Sequence, residues 1–397
     1  MDDPEHQIEV DGVWKVFGKD PERALSREYE RKSRAEIQEE LGLVVGLRDV
    51  SFTVDPGEIF VVMGLSGSGK STLVRCLIRL IEATKGQVRF DGEDVLTYSP
   101  EQLMEFRRSR VAMVFQHYAL LPHRQVLDNV AYGLEIQGMD KAARYKEASK
   151  AIETVGLKGW EDYYPSEMSG GMQQRVGLAR ALAVDPDVLL MDEPFSGLDP
   201  LIRREMQDEL VTLQSEVQKT IVFITHDLNE ALKLGDRIAI MRDGEIIQEG
   251  SPEEIVTLPT DEYVTDFVRD VSRGKVIQAK AIMREPDAVV YEWQGPRAAL
   301  RTMDTHNRDA MFLIARDFTL RGILTEERAN DLASERKPTL EGAEVAPALT
   351  TSPETFIEDI IPIAAKSRHP IAVVGENGSL LGEIRRGVLL SGMSSDA

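Results

Sequence analysis

Short apolar runs along the chain alternate with longer segments in which apolar residues recur at helical spacing. Three of these runs, "IFVVM" (59–63), "DVLLM" (187–191) and "IVFI" (221–224), have the length of a single strand. Continuous apolar runs are typical of parallel strands that are buried on both faces. Because such strands alternate with helical segments, the pattern predicts an α/β core with helices on both faces of the sheet.

Further strands and turns are predicted around this core. "IEVDGVWKVFG" (8–18) predicts a strand, and "VVGLRDVSFTVDPGEIFVVM" (44–63) predicts two strands joined by a Pro-Gly turn. "GQVRFDGEDV" (86–95) and "DRIAIMRDGEIIQEG" (236–250) predict hairpins, the first with an Asp-Gly turn. "VAMVFQ" (111–116) predicts another strand.

Helices are predicted between these strands. We expect one helix from 70 to 81, a mostly helical pattern from 117 to 183, and helical structure over 252–268. The segment 19–45 is charged and helix-prone. This segment separates the strand at 8–18 from the next pair of strands, so we interpret it as an insertion.

The C-terminal part of the chain, after about residue 273, contains an internal repeat. "AMFLIARDFTLRGILTEE" begins at Ala310, and "PIAVVGENGSLLGEIRRG" begins 60 residues later at Pro370. Each copy has the pattern of two strands joined by a polar turn, with helical segments before and after. Two copies of one supersecondary unit predict a pair that packs together.

Composition and charge narrow the classes of function. The chain has 397 residues and a net charge of −21, so it is long enough for two or three domains and unlike a nucleic-acid-binding protein. The single cysteine, Cys76, excludes a disulfide framework and indicates a reducing compartment. The N-terminus is acidic, unlike a secretory signal, and no apolar run approaches the roughly 20 residues of a membrane helix.

The stretch from Gly64 to Ser71, "GLSGSGKS", fits the phosphate-binding pattern G-x-x-x-x-G-K-[ST]. Its glycines allow backbone N–H groups to surround phosphate oxygens, and the helix that follows directs its positive end at the same anion. Lys70 is expected to reach the β- and γ-phosphates, and the Ser71 hydroxyl to bind Mg²⁺. The sequence therefore predicts a nucleoside triphosphate site.

Two other stretches complete the candidate chemistry. "VLLMDEP" ends a strand with Asp192, a candidate Mg²⁺ ligand, and Glu193, a candidate general base for the attacking water. "MSGGMQQR" (168–175) places Ser169 and two glycines before a helix, which is a second anion-binding type of helix N-terminus. A second anion site beside one phosphate loop predicts a nucleotide shared across a dimer interface.

Taken together, these motifs resemble the ATP-binding subunit of ABC transporters. The resemblance covers Walker A (64–71), Walker B at Asp192 and Glu193, and the family signature. Gln116 matches the Q-loop and His226, in "FITHD", matches the switch histidine. The signature residues are Ser169, Gly170, Gly171, Met172 and Gln173. The D-loop residues are Ser196, Gly197, Leu198 and Asp199.

The resemblance implies a P-loop NTPase fold with a RecA-like core plus a helical subdomain. It also implies a head-to-tail dimer, in which ATP lies between Walker A of one copy and the signature of the other. His226 and Gln116 would act with Glu193 in catalysis, and Mg²⁺ would be held by Ser71, Gln116 and Asp192. The adenine would stack on Phe17, with Trp14 as the rival ring. The remaining residues implied in ATP binding are Gly64, Leu65, Ser66, Gly67, Ser68, Gly69, Lys70 and Thr72.

The resemblance narrows to the ATPase of glycine betaine/proline betaine uptake systems, with choline uptake subunits similar. The insertion 19–45, "HYALLPHRQVLDNVAYG", "MDEPFSGLDPLIRREMQDEL" and the C-terminal repeat carry it. It implies a peripheral location on the cytoplasmic face of the inner membrane. The implied partners are a second copy, a membrane permease and, indirectly, a periplasmic or extracellular substrate-binding protein. Segment 117–130 would contact the permease, or would be a buried part of the subdomain.

In this family the C-terminal repeat is a pair of CBS domains, here about 276–335 and 336–397, after a nucleotide-binding domain of 1–272. The pair departs from the adenosine-binding pattern of CBS domains. One copy has Thr325 but places Arg328 where a ribose-binding Asp is usual, and the other has Arg385 and Val388 at those two positions. A regulatory or dimerising role of 273–397, or a purely structural clamp, is expected.

Two other functional classes compete with a transport ATPase. A non-transport ABC ATPase that acts on nucleic acid or ribosomes commonly has two cassettes, coiled coils or basic surfaces, whereas this chain has one cassette and a net charge of −21. A P-loop kinase or GTPase would leave the signature, Gln116 and His226 without a role. A transport ATPase is therefore the preferred hypothesis.

Overall fold

The computed structural model describes residues 6–116, 119–269 and 271–393. It divides into two compact units, Met1–Arg269 and Asp270–Ala397. The first unit contains the strands that surround the phosphate loop, and the second contains the C-terminal repeat. Each unit is described by itself below.

In the described part of the first unit, strands form one antiparallel and one mostly parallel sheet. The antiparallel sheet has the order β2-β1-β4-β5, and the other has the order β10-β9-β3-β8-β7-β6. The strands are β1 Ile8–Phe17, β2 Val44–Val54, β3 Ile59–Met63, β4 Lys85–Phe90, β5 Glu93–Asp94, β6 Val111–Val114, β7 Val188–Asp192, β8 Thr220–Thr225, β9 Arg237–Arg242 and β10 Glu245–Gly250. Only β10 runs antiparallel to its neighbour in the second sheet, and β3 lies at its centre between β8 and β9.

The described helices of the first unit are α1 Arg34–Leu41, α2 Lys70–Leu77, α3 Pro100–Ser109, α4 Val126–Val130, α5 Tyr132–Ile136, α6 Lys141–Thr154, α7 Gly170–Ala183, α8 Pro200–Val217, α9 Leu228–Leu234, α10 Pro252–Thr257 and α11 Glu262–Val268. Eight of these described helices lie within the predicted helical segments and are shorter than them, whereas α3, α8 and α9 lie outside those segments. Helix α2 ends before the predicted position 81, because Arg79 takes a left-handed conformation (φ 52°) and donates to Val95 O and Tyr98 O.

One apolar cluster joins the two sheets of the first unit around α2. Leu73, Val74 and Leu77 of α2 are fully buried in it. Phe52 of β2 and Phe60 of β3 stack there, with ring centroids 4.8 Å apart. Because these apolar side chains of α2 are fully buried, the start of α2 is fixed at the carboxyl end of β3. Ligands of open parallel sheets bind at the carboxyl ends of the strands.

The second unit contains two three-stranded sheets, as far as the structure describes it, with the same order of elements. In each, a short strand pairs in parallel with the middle strand, which pairs antiparallel with the last. The strands are β11 Val290–Tyr291, β12 Ala310–Ile314, β13 Leu320–Thr325, β14 Thr350–Thr351, β15 Ile371–Val374 and β16 Leu380–Ile384. The helices are α12 Ala279–Ile282, α13 Pro296–Thr305, α14 Glu326–Ser334, α15 Ile357–Ala365 and α16 Arg386–Met393. Corresponding elements of the two copies lie about 60 positions apart: β11 and β14 begin at Val290 and Thr350, and β13 and β16 begin at Leu320 and Leu380.

Candidate functional site

The phosphate loop connects β3 to α2, and its shape requires glycine at two positions. Gly64 has φ 152°, and a Cβ there would lie 2.2 Å from Met241 O. Gly69 has φ 112°, and a Cβ there would lie 2.7 Å from Gly46 O. Because neither contact can be relieved by a side-chain movement, both residues must stay glycine for the loop to pack against the β9–β10 turn and β2.

Lys70 is the first residue of α2 and is held beneath the loop. It is only 5% exposed, and its Nζ donates to Gly64 O at 2.7 Å and to Leu65 O at 3.0 Å. Burial lowers the pKa of the Lys70 ammonium, and the nearby carboxylates of Glu193 and Asp192 oppose that shift. The Lys70 ammonium is thus held beneath the loop by two of its backbone carbonyls.

Ser71 and Asp192 form a pair of hard oxygen donors next to Lys70. The Ser71 hydroxyl donates to Asp192 Oδ1 at 3.0 Å, although the two residues belong to different elements, α2 and β7. Burial raises the pKa of the Asp192 carboxyl, and the Ser71 hydrogen bond opposes that shift. Mg²⁺ in nucleotide sites binds one or two protein oxygens and the phosphates, so this pair fits such an ion. No cluster of three or more His, Cys, Asp or Glu that could hold a metal exists among the described residues.

Glu193 follows Asp192 and takes a strained backbone conformation. Its φ is 46°, in the left-handed region, and its N–H donates to Ile224 O of the neighbouring strand β8. Strain of about 1–3 kcal/mol in a non-glycine residue persists where the surroundings over-determine it, and it is common at functional sites. Here it turns the Glu193 carboxylate toward the end of β8.

His226 follows β8 and contacts that carboxylate. Its Nδ1 lies 3.0 Å from Glu193 Oε2, and since an ionised carboxylate only accepts, Nδ1 carries the proton in this pair. The imidazole is half exposed, at 55%, and its Nε2 lies on the opposite edge of the ring. Thr225 before it donates to the buried Glu230 at 2.6 Å, which fixes the backbone of this turn. The structure thus brings Glu193 and His226 together from two strands.

Lys70, Ser71, Glu193 and His226 line one cleft of about 760 Å³, whereas Gly64 and Asp192 are not among its lining residues. Gln116 and Thr72 of α2 line it as well. Phe17, 38% exposed, lines the cleft, whereas Trp14 is 4% exposed and lies in the core. The lining residues of the loop itself are Leu65, Ser66, Gly67, Gly69, Lys70 and Ser71, while Ser68 is buried behind it.

Helix α1 of the insertion supplies two lining residues that the sequence did not predict, Arg34 and Gln38, and Val44 and Val45 at the end of the insertion also line the cleft. Arg34 and Gln38 lie one helical turn apart on α1 and so face the same side. The insertion was predicted to be helical, but its charge pattern gives no signal that α1 would fold back along the phosphate loop. That placement depends on Ile37, which is fully buried against residues of β1 and β2.

The predicted signature lies at the start of α7 and not in this cleft. None of the residues 169–173, all described, lines it. Ser169 caps α7 by accepting from Met172 N at 3.4 Å, and Ser169 and Gly170 are exposed to solvent. Gly171 is buried, and a Cβ there would lie 2.5 Å from Ile202 Cγ2 of α8.

The Gln173 amide donates to Pro165 O at 2.9 Å and to Met168 O at 3.1 Å. These two bonds fix the turn that precedes the signature. The start of α7 is therefore a preformed and accessible helix N-terminus that is separated from the phosphate loop of its own chain.

The predicted D-loop, residues 196–199, connects the Walker B strand to α8. Asp199 caps α8 by accepting from Leu201 N at 3.1 Å and Ile202 N at 3.2 Å. Arg203 donates to Leu198 O at 3.3 Å and to the Asp227 carboxylate at 3.4 Å. Leu198 of the D-loop is therefore tied through Arg203 to the residue that follows His226. Ser196 N donates to Glu193 O at 3.2 Å.

In the second unit, protein groups contact Thr325, Arg328 and Arg385, which stand at positions of the adenosine-binding pattern of CBS domains. Thr325 caps α14 by accepting from Arg328 N at 3.3 Å, and the Arg328 guanidinium donates to Glu344 O. Arg385 pairs with Asp287 and Glu383, each at 2.5 Å, while Val388 lies on α16. These contacts serve the packing of the unit itself.

Comparison with known proteins identifies the family. The ABC transporter family model matches residues 47–196, which contain the phosphate loop and the signature. The chain is 48% identical, over 98% of its length and 98% of the relative, to the glycine betaine/carnitine transport ATP-binding protein GbuA of Listeria monocytogenes. It is 44% identical, over the same shares, to the glycine betaine/proline betaine transport system ATP-binding protein ProV of Escherichia coli. The chain belongs to this family of ABC transporter ATP-binding subunits.

Other members and a solved structure agree with that assignment. The trimethylamine N-oxide transport ATP-binding protein TmoW of Ruegeria pomeroyi is 53% identical over 70% of this chain and 81% of that relative. The dimeric ATP-binding cassette MJ0796, solved with ADP and Pi, matches 62% of this ABC subunit and 98% of its own chain, with 30% identity and a TM-score of 0.52. The α/β P-loop fold predicted for the nucleotide-binding part is confirmed. Within the described residues of this ABC subunit, no helix has the length and apolar character to span a membrane.

Proposed function

We propose that this chain is the ATPase subunit of an importer for quaternary-amine osmoprotectants. It hydrolyses ATP, and the energy drives import of a compound such as glycine betaine or proline betaine through a separate permease. The observation that carries the proposal is the full-length match to glycine betaine transport subunits. The cleft supports it, because residues of the phosphate loop, Gln116, Glu193 and His226 line it together. The same relatives argue against a non-transport ATPase.

ATP occupies the cleft with its phosphates on the loop and its base against Phe17. Backbone N–H groups of the loop and the start of α2 surround the phosphates, and the Lys70 ammonium reaches the β- and γ-phosphates. Phe17 is the ring exposed to the cleft, which favours it over the buried Trp14 as the stacking partner. Gly46 lies directly beneath that ring, since a Cβ there would be 2.7 Å from Phe17 Cε2.

Glu193 is the general base for hydrolysis. Its carboxylate reaches the cleft and is oriented by the bond from His226 Nδ1. Glu193 accepts a proton from the attacking water, which is worth roughly 10²–10⁴ in rate. His226 holds that carboxylate in place and presents its other ring nitrogen to the γ-phosphate. Gln116 lines the same cleft and senses the reacting end of the nucleotide.

Mg²⁺ accompanies the nucleotide at Ser71 and Asp192, with Gln116 as the third candidate ligand. The ion supplies charge neutralisation of the phosphates when it is bound. Ser71 would hold the ion through its hydroxyl oxygen, which donates to Asp192 Oδ1. Asp192 and Gln116 would be the other ligands. The three oxygens are of the hard type that Mg²⁺ prefers.

Two copies complete the site. The signature at the start of α7 is exposed and lies outside its own chain's cleft. A head-to-tail dimer brings Ser169, Gly170 and the α7 N-terminus of one copy onto the ATP of the other, where the helix dipole and backbone N–H groups bind phosphate oxygens. Asp199 and its D-loop lie at the same interface, tied through Arg203 to the turn after His226.

A permease binds in the groove between α3, β6 and the helices α5 and α7. This groove, of about 370 Å³, is lined by apolar side chains such as Met113, Phe115 and Ile136 and by Tyr132. It adjoins the predicted contact segment 117–130, of which His117 and Tyr118 lie outside the described residues. Asn129 of that segment is fully buried and bonds Leu121 and Arg124, so residues 126–130 belong to the subdomain core. The described residues 119–123 are exposed or partly exposed.

This subunit is peripheral at the cytoplasmic face of the membrane, with the permease in the membrane and a substrate-binding protein outside. The C-terminal unit is a pair of CBS domains with a regulatory role. Its two copies each contain one parallel and one antiparallel strand pair, flanked by helices. Ion pairs between the copies, such as Arg385 with Asp287, are charge contacts that salt screens, so ionic strength is a suitable signal.

The proposal is tested with the complete transporter in lipid vesicles that contain ATP. We expect accumulation of radiolabelled glycine betaine or proline betaine, abolished in Lys70→Ala and retained in Lys85→Ala, an exposed lysine outside the cleft. The proposal is wrong if the wild-type transporter hydrolyses ATP but accumulates no quaternary amine, or if Lys70→Ala retains uptake.

A further inference from the structure

Helix α1 of the insertion is anchored firmly beside the nucleotide cleft. Its first turn has a complete capping box, in which Ser33 Oγ accepts from Glu36 N and Glu36 accepts from Ser33 N. Ile37 on its inner face is fully buried against Val16 and Val45. The first residue of the helix, Arg34, is therefore held at a defined place on the cleft side.

The Arg34 guanidinium bridges two backbone carbonyls. Its Nη1 donates to Gly67 O of the phosphate loop at 3.1 Å, and its Nη2 donates to Gly46 O of β2 at 2.9 Å. The Asp243 carboxylate in the β9–β10 turn lies 3.7 Å from Nη1. The planar Arg34 side chain thus connects the insertion to the phosphate loop, to β2 and to the β9–β10 turn.

The backbone of the β9–β10 turn packs against both the Arg34 guanidinium and the phosphate loop. A Cβ on Gly244 would lie 3.1 Å from Arg34 Nη2, so the guanidinium lies directly against the β9–β10 turn. The same Gly244 donates its N–H to Ser68 O at 2.8 Å. Two successive carbonyls of the loop, those of Gly67 and Ser68, are therefore held from outside by Arg34 and Gly244.

We propose that Arg34 is a positioning residue that holds the phosphate loop in its anion-binding shape. The inference rests on the proposed function, since it assigns a role within the same nucleotide site. Arg34 keeps the outward carbonyl of Gly67 satisfied, which leaves the loop free to present N–H groups to phosphate. Its charge also lies beside the cleft, where it adds to the attraction that Lys70 exerts on the triphosphate.

This role predicts that loss of Arg34 raises the KM for ATP and leaves kcat nearly unchanged. The catalytic groups Glu193 and His226 lie at the ends of β7 and β8, away from the contacts of Arg34. Loss of Arg34 removes two charge-assisted hydrogen bonds, so we expect the KM for ATP to rise about tenfold or more while kcat changes less than about twofold. Because the effect acts through the phosphates, ATP and GTP should lose affinity by the same factor.

The experiment compares Arg34→Ala with Arg27→Ala in the full chain. Arg27 is an exposed arginine of the same insertion, so its replacement makes the same change in net charge. ATPase rates are measured over a range of ATP and GTP concentrations, and thermal unfolding is followed on the same samples. We expect an increase in KM for Arg34→Ala alone, equal for both nucleotides.

Arg34→Lys is the second variant, and it keeps the inference testable if Arg34→Ala fails to fold. A lysine retains the charge but reaches only one of the two carbonyls, so we expect an intermediate KM. The inference is overturned if Arg34→Lys has the wild-type KM, if Arg34→Ala does, or if Arg27→Ala raises KM equally. If the wild-type chain and Arg27→Ala both lack ATPase activity, the proposed function itself is wrong.

Discussion

Phe17 and Trp14 are the two candidate partners of the adenine ring, and replacing each with alanine should have opposite consequences. Phe17 is 38% exposed and lines the nucleotide cleft. Trp14 is 4% exposed and lies in the core. Phe17→Ala should therefore weaken nucleotide binding with little loss of stability, whereas Trp14→Ala should reduce stability.

The magnitudes follow from the two environments. Stacking of a base on an aromatic side chain contributes about 1–3 kcal/mol, so Phe17→Ala should raise the dissociation constant for ATP roughly 5- to 150-fold. A buried tryptophan replaced by alanine loses about 3–5 kcal/mol of unfolding free energy. The Phe17 ring also lies over Gly46, so its removal leaves open space at a cleft wall and not a cavity in the core.

The assay is a titration with a fluorescent ATP analogue, combined with chemical denaturation of the same samples. Phe17→Tyr serves as the matched control, because it keeps the ring and should bind the analogue like the wild type. The reasoning is refuted if Phe17→Ala binds ATP with wild-type affinity. It is equally refuted if Trp14→Ala unfolds at the wild-type denaturant concentration and binds ATP more weakly.

Three further predictions concern the base, the signature and the C-terminal unit. Glu193→Gln should lower kcat by roughly 10²–10⁴ with ATP binding retained, which phosphate release and a binding titration will check. Gly171→Ala should lower the unfolding free energy by about 1–3 kcal/mol, because its Cβ would lie 2.5 Å from Ile202, and Gly171→Ala combined with Ile202→Ala should recover part of the loss in chemical denaturation. Hydrogen bonds from Arg385 and a second arginine lower the pKa of the Asp287 carboxyl. Its contribution to stability is therefore present above the unfolded pKa of about 3.9 and lost as the pH falls through the lower folded value. The melting temperature of wild type should thus exceed that of Asp287→Asn at pH 7 and approach it as the pH falls below the unfolded pKa. A constant difference would contradict this cause.

The local elements were predictable because they depend on short-range patterns. The apolar runs at 59–63, 187–191 and 221–224 form parallel strands, as their lack of alternation predicts. The two hairpins were equally clear from their turn residues. The order of strands in the sheet could not be read in this way, because pairing of β3 with β8 and β9 joins residues more than 150 positions apart.

The candidate site shows the same division between local and long-range information. The phosphate loop has a sequence pattern because its backbone must take one shape, with glycine where a Cβ would meet Met241 or Gly46. Arg34 has no such pattern. Its place beside Gly67 depends on a capping box, the burial of Ile37 and the path of the insertion, and only the folded chain brings these together.

The central claim is that ATP is hydrolysed between two copies of this chain, and a dilution series tests it most directly. The mass distribution and the ATPase rate per subunit should be measured on the same samples at saturating ATP. We expect the rate per subunit to fall in proportion to the fraction of dimer, because the cleft of one copy lacks residues 169–173. A monomeric fraction that hydrolyses ATP at the undiluted rate would contradict the account.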